Sequence, residues 1–210
     1  MTRPTPDSAE TRGLLTKIRR GDAQAFESLI ERHRPFLRQV IELRLDSRLQ
    51  SRVDPSDIVQ EVQMEVFRRM SDYLERRPMP FRLWLRKTAQ ERLLKTQRKH
   101  LETGRRTLSR EVPVPDQSSL ALAQQMVASG ASPSSRLERR ELIERIRQAV
   151  AKLSEADRDI LLMRNFEGMS NQEVAFSLDV DSATASKRHG RALLRLRQVL
   201  LDGGLTESQQ

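Results

Sequence analysis

The segment Ser182–Arg197, SATASKRHGRALLRLR, places Lys187, Arg188, Arg191, Arg195 and Arg197 on one helix-like stretch. Cations and small hydroxyl residues at a helix start can donate to phosphates and to base edges in a duplex groove. A second basic stretch runs over Arg86–Arg110, with Phe81 and Trp84 beside Arg82, Arg86 and Lys87. Aromatic rings interleaved with cations suit unstacked bases, which offer a free π-face. For the rings alone, ordinary core packing is the stronger reading.

The totals narrow the chemistry. The chain has 210 residues, a formal net charge of +9 and no cysteine. Clustered positive charge points to nucleic acid ahead of a membrane surface. Without cysteine there are no disulfides or thiolate metal sites. His33, His100 and His189 stand apart from any His/Asp/Glu set with ligand spacing, so neither metal nor cofactor is expected. Tyr73 is the sole tyrosine. Asp54, Asp57, Glu61 and Glu65 are better explained as a helix cap and a polar docking face than as a catalytic cluster, and the chain reads as no enzyme. No apolar run is long enough to cross a bilayer, and MTRPTPDSAETRG has no signal core. A cytoplasmic protein without membrane attachment is expected.

These residues need helices to position them. Scarce Gly and Pro, absent strand alternation and an abundance of Leu, Arg, Glu, Gln and Ala predict an all-α protein. Two small helical domains joined by a flexible linker are expected. The boundaries are a disordered tail at 1–13, a first domain at 14–103, a linker at 104–135, a second domain at 136–201 and a tail at 202–210. Asp22 caps a helix carrying Phe26, Leu29, Ile30 and His33, which Pro35 bends or restarts. Asp54, Pro55 and Asp57 open the next helix, with Val59, Val62, Val66, Phe67 and Met70 as its apolar stripe. The proline-containing SDYLERRPMP ends it. Phe81, Trp84, Leu85, Thr88 and Leu93 line the inner side of the following helix. Within the linker, LALAQQMVA has the pattern of one short helix.

In the second domain, Leu142, Ile146, Ala149, Val150 and Leu153 form the first stripe. Ser154 with Asp157, and Ser170 with Glu173, have capping-box spacing, and Gly168 is placed to end the helix between them. Asn171–Leu178, Asp179–Asp181 and Ser182–Arg197 then supply a short helix, a tight turn and a basic helix, the parts of a helix-turn-helix. Asp179 takes the turn position that glycine often fills. Ala185, His189, Ala192, Leu196 and Val199 face inward. Ser182, Thr184, Ser186, Lys187, Arg188 and Arg191 remain as candidates for duplex contact.

The blocks GDAQAFESLIERHRPFL, DPSDIVQEVQMEVFRRM, PFRLWLRKTAQERLLKTQRKH and LSEADRDILLMRNFEGMSNQEVAFSLDVDSATASKRHGRALLRLR occur in an order that resembles bacterial sigma factors of the sigma-70 class, in the compact extracytoplasmic-function group. The resemblance implies a transcription initiation factor that binds core RNA polymerase and directs it to −10 and −35 promoter elements. It implies that the Asp54–Met70 helix docks on the beta-prime clamp helices through Asp57, Ile58, Gln60, Glu61 and Val62. The loop Ser71–Pro80 and the helix Phe81–His100 would take the opening −10 element, with Trp84, Arg92, Lys95, Gln97 and Arg98 as contacts. The Ser182 helix would read the −35 duplex, beside the beta flap. An anti-sigma factor is a further partner the resemblance admits. The alternative is a helix-turn-helix regulator that acts without polymerase, which predicts a dimer on a palindrome. Two departures from the family pattern stand out: Glu91, where relatives often carry Asn, and His189, at a position that is usually apolar.

Overall fold

A computed structural model describes residues 7–45, 49, 52–104 and 136–203. Residues 105–135 of the expected linker, with its LALAQQMVA segment, and most of the carboxy-terminal tail lie outside the described residues, while Gly104 ends a helix. The described residues fall into two compact units, 7–104 and 136–203. Every regular element among the described residues is helical.

The first unit contains α1 (Ala9–Arg19), α2 (Ala23–Arg44), α3 (Pro55–Arg76) and α4 (Phe81–Gly104). Its core joins Leu29, Leu37 and Ile41 of α2 to Ile58, Val62 and Val66 of α3 and Phe81, Trp84, Leu85 and Ala89 of α4. Asp22 and Asp54 cap α2 and α3, accepting from the backbone N–H groups of Ala25 and Ser56.

Three features depart from the sequence reading. Residues 7–13 are not tail: Ser8 caps α1, and Thr11 and Leu15 are buried from it. Leu14, Leu15 and Ile18 pack on the core, and in so short a helix packing rather than propensity supplies the stability. Pro35 neither breaks nor restarts α2, which is continuous across it. Pro35 and Glu31 are both exposed, so the carbonyl that loses its helical partner faces water, while buried residues on either side hold the helix together. Lastly, α3 continues to Arg76 because Tyr73 and Leu74 extend its buried stripe. It stops where Arg77 adopts a left-handed conformation at φ 38° just before Pro78. The segment between α3 and α4 is therefore only Arg77–Pro80.

α1 is fixed to the rest at both ends. The Arg19 guanidinium donates to the Leu74 carbonyl. Ser8 Oγ donates to Thr11 Oγ1, which lies 3.1 Å from His33 Nε2. A hydroxyl already accepting from Ser8 can donate its proton to a neutral imidazole. Burial, helped by the charges of Arg32 and Arg82, lowers the His33 pKa from 6.5 to about 4.

The second unit contains α5 (Arg136–Ala151), α6 (Glu155–Leu161), a π-helical turn (Leu162–Phe166), α7 (Asn171–Ser177) and α8 (Ser182–Asp202). Ile160, Leu161, Leu162 and Met163 are consecutive and all buried, a wider arc than an α-helical stripe offers. The widened turn accommodates them, and Gly168, at φ 59°, reverses the chain after it.

The His33 environment sets a sign. Between pH 6.5 and about 4 the unfolded chain binds a proton at His33 that the folded chain does not, so stability falls as pH falls through that window. Asp7, whose pKa is raised by burial, acts with the opposite sign at the acid end. The difference between wild type and His33→Gln therefore isolates the imidazole. Chemical denaturation at stepped pH should show a smaller acid loss in the variant; parallel curves would remove His33 as the cause.

Candidate nucleic-acid interface

The helix-turn-helix is built by local hydrogen bonds that its sequence specifies. Ser170 Oγ accepts from the Glu173 N–H at 3.2 Å, and Glu173 Oε2 accepts from the Ser170 N–H at 2.7 Å, completing a capping box on α7. Asp179 has φ 51°, the left-handed turn expected of it. The Val180 N–H then donates to the Ala175 carbonyl at 3.0 Å. Asp181 caps α8, accepting from the Thr184 N–H at 2.7 Å and the Thr184 hydroxyl at 2.6 Å. These bonds hold its carboxyl below the ordinary value.

Val174, Ala175 and Ala185 are fully buried where α7 meets α8. Asn171 Nδ2 reaches both the Ser182 carbonyl and the Ser182 hydroxyl at 2.7 Å, bracing the two helix starts. Leu178 and Val180 are half-buried, and Val174 provides more of the seam than the sequence pattern suggested. The inner side of α8 is Ala185, Ala192, Leu196 and Leu200. His189 is half-buried, 3.0 Å from Asn165 Oδ1, and desolvation lowers its pKa. It is a packing residue, joining α8 to the π-turn. Arg195 pairs with Asp157 at the start of α6.

The candidate duplex contacts therefore separate. Ser186, Lys187, Arg188 and Arg191 are exposed on the outer side of α8. Ser182 and Thr184 are half-buried and tied to Asn171 and Asp181. They shape the helix start that the cations extend from.

The first unit shows a similar split. Lys95 and Arg98 are exposed on α4, with Lys87 and Lys99 on the same helix. Trp84 is not available to a base. It is 5% exposed, stacked on Tyr73 with ring centroids 4.5 Å apart, and has the Arg69 guanidinium 5.8 Å from its ring centre. Arg86, expected outside, is buried at 6% and donates to Gln90 Oε1 at 3.1 Å. Gln97 is half-buried, its amide 3.5 Å from the Arg44 carbonyl. Arg92 is held by Glu61 of α3 at 2.6 Å, a bond that lowers the Glu61 pKa. Glu91 is likewise engaged with Arg69 at 3.1 Å.

On α3, Asp57 and Gln60 are exposed as expected, and Glu61 is half-buried against Arg92. Ile58 and Val62 are 1% and 0% exposed and belong to the core, so neither can meet a partner. The exposed apolar residues are instead Met64 and Phe67, at 55% and 66%. Phe67 meets Phe26 of α2 edge-on at 5.2 Å. With Asp57 and Gln60 they follow one helical face at three- and four-residue spacing. The sequence pattern assigned Phe67 to the inner stripe because it adjoins Val66, and period alone does not resolve one residue of phase.

The comparisons with known proteins agree with this architecture. The family model for sigma-70, region 4 matches residues 143–196, which include α7, the turn and α8 as far as Leu196. The chain is 29% identical over 208 residues to the RNA polymerase sigma factor NccH of Alcaligenes xylosoxydans xylosoxydans, covering 95% of this chain and 97% of that one. It is 25% identical over 181 residues to the RNA polymerase sigma-H factor of Pseudomonas aeruginosa, covering 85% and 88%. The fold resembles CnrH, solved in complex with the cytosolic domain of CnrY, with TM-score 0.57, 22% identity and coverage of 93% and 99%. It also resembles RpoE of Bartonella quintana, solved with the anti-sigma factor NepR, with TM-score 0.54, 17% identity and coverage of 85% and 98%. The chain is thus similar over most of its length to RNA polymerase sigma factors, and its residues 143–196 match sigma-70, region 4. Its function is transcription initiation. Among the described residues, no helix is long and apolar enough to cross a membrane.

Two substitutions test the geometry. Trp84→Ala should cost about 3–5 kcal/mol of stability in the first unit, the range for emptying a large aromatic site. An unchanged melting curve would return Trp84 to the surface. Asp179→Gly should stabilise the second unit by about 0.5–1 kcal/mol, since glycine adopts positive φ without steric cost. A loss of stability would show that the aspartate side chain contributes more than the turn conformation costs.

Proposed function

We propose that α3 docks on core polymerase, that α4 with Arg77–Pro80 takes the opened −10 strand, and that α8 reads the −35 element as duplex. The observation that carries this reading is the presence of two exposed cationic faces, Lys187–Arg188–Arg191 and Lys95–Arg98, on separate units. A duplex reader fixes position, and a strand-binding surface offsets unpairing, which costs a few kcal/mol. The docking face is Asp57, Gln60, Met64 and Phe67, a polar start that passes into an apolar patch suited to a helical surface of the beta-prime subunit. Residues 7–104 and 136–201 are then the two functional domains, and 105–135 the connection between them. In this reading the chain contributes binding energy and no catalytic group. An anti-sigma partner is included in the proposal, supported by the complexes in which the two structural neighbours were solved.

Core polymerase mixed with the chain and fragmented genomic DNA should yield discrete transcripts sharing two upstream elements. Specific duplex binding by the chain alone, with no association with core, would favour a conventional regulator.

At residue level, Phe67→Ala should weaken core binding by about tenfold while leaving the melting curve in place, because the ring is mostly exposed and central to its patch. Undiminished capture of a beta-prime clamp fragment would exclude that face. Arg188→Ala and Arg191→Ala should each lower affinity for promoter duplex and flatten its salt dependence. An unchanged −35 footprint in both would remove α8 from the groove.

A further inference from the structure

α4 begins immediately after Arg77-Pro78-Met79-Pro80. None of these side chains is a useful hydrogen-bond acceptor: arginine only donates, proline has no polar side-chain atom, and a thioether accepts weakly. The first N–H groups of a helix have no intrahelical partner, so α4 lacks a cap from its own sequence neighbourhood. The cap comes from Asp7, 74 residues earlier. Its two carboxylate oxygens lie 2.9 and 3.1 Å from the Phe81 nitrogen, and the Arg82 N–H also bonds the carboxyl.

Asp7 is itself held in place. Ser8 caps α1, and the Ser8–Thr11–His33 chain fastens that helix start to α2. The Phe81 ring, next to the capped nitrogen, packs against His33 at 5.1 Å and Tyr73 at 5.7 Å. From the other side, the Tyr73 hydroxyl donates to the Met79 carbonyl at 3.1 Å. Asp7, ahead of α1, therefore fixes the start of α4, and Tyr73 of α3 fixes the short segment before it.

We propose that Asp7 is a positioning residue for promoter opening, holding the start of α4 and the Arg77–Pro80 segment in the form that receives the opened strand. The proposal rests on the assignment of α4 and that segment to the −10 element. It also gives the residues ahead of α1 a role that neither the helix-turn-helix nor the α3 docking face supplies.

The test uses the full-length chain reconstituted with core polymerase. Asp7→Ala should slow promoter opening, followed by thymine reactivity to permanganate, on the order of tenfold, the scale of a lost helix cap. Core affinity and the −35 footprint should stay at wild-type values. Asp7→Asn keeps an acceptor oxygen and should restore most of the rate. Opening at the wild-type rate in Asp7→Ala would overturn the proposal. So would an equal loss of core binding and opening, which marks general unfolding, or an Asp7→Asn variant as slow as Asp7→Ala. Lys95→Ala with Arg98→Ala separates the underlying assignment. If that pair slows opening and Asp7→Ala does not, only the Asp7 proposal falls. If neither does, the −10 assignment of α4 falls with it.

Discussion

The first unit depends on the burial of one aromatic cluster. Tyr73 at the end of α3, Phe81 and Trp84 at the start of α4 and His33 of α2 share ring contacts between 4.5 and 5.8 Å. Each ring comes from an element that carries surface charge elsewhere, so the cluster decides which faces turn outward. Trp84 and Phe81 anchor the start of α4 in the core, while Lys87, Lys95 and Arg98 of the same helix are exposed.

The second unit reaches the same end with smaller groups. Close approach of α7 and α8 needs Ala175 and Ala185 at the crossing, and the turn between them needs a residue that accepts positive φ. Side-chain caps on both helices then satisfy the N–H groups that such short elements expose. The outcome is a rigid platform from which Ser186, Lys187, Arg188 and Arg191 project. Rigid side-chain placement suits reading of a duplex, whose groove has a fixed donor and acceptor pattern. In the first unit, Glu61–Arg92 and Arg69–Glu91 tie α3 to α4 through half-exposed ion pairs. Such pairs contribute little stability, and their effect is to fix which cations stay outward.

Much of this was legible because it is encoded within a few residues. Asp22, Asp54, Ser154, Ser170 and Asp181 announce helix starts by side-chain chemistry, and all five cap as their positions imply. The left-handed Asp179 follows from a turn too short for anything else. What escaped the sequence depends on contacts distant along the chain. α1 is held by Leu74, His33 and Phe81, none of them near it in sequence. Pro35 reads as an interruption until its exposure is known. Spacing puts Val62 in the apolar stripe of α3 with Ile58 one turn before it, whereas the resemblance puts both on the docking face, and their burial follows the stripe. Arg92 and Trp84 matched the expected residue types for strand contact, but their side chains are committed to Glu61 and Tyr73.

The central claim is that the aromatic cluster positions the cationic helix α4 and does not itself touch nucleic acid. Trp84 is the only tryptophan, so its emission reports on the cluster alone. Replacing it with 7-azatryptophan allows selective excitation within the polymerase complex. The measurement is quenching of that probe by acrylamide, in the free chain and in the complex on promoter DNA. The account predicts strong shielding in both, with no change when the promoter opens. A probe open to quencher in the free chain, or one whose emission shifts as bases are captured, would contradict it.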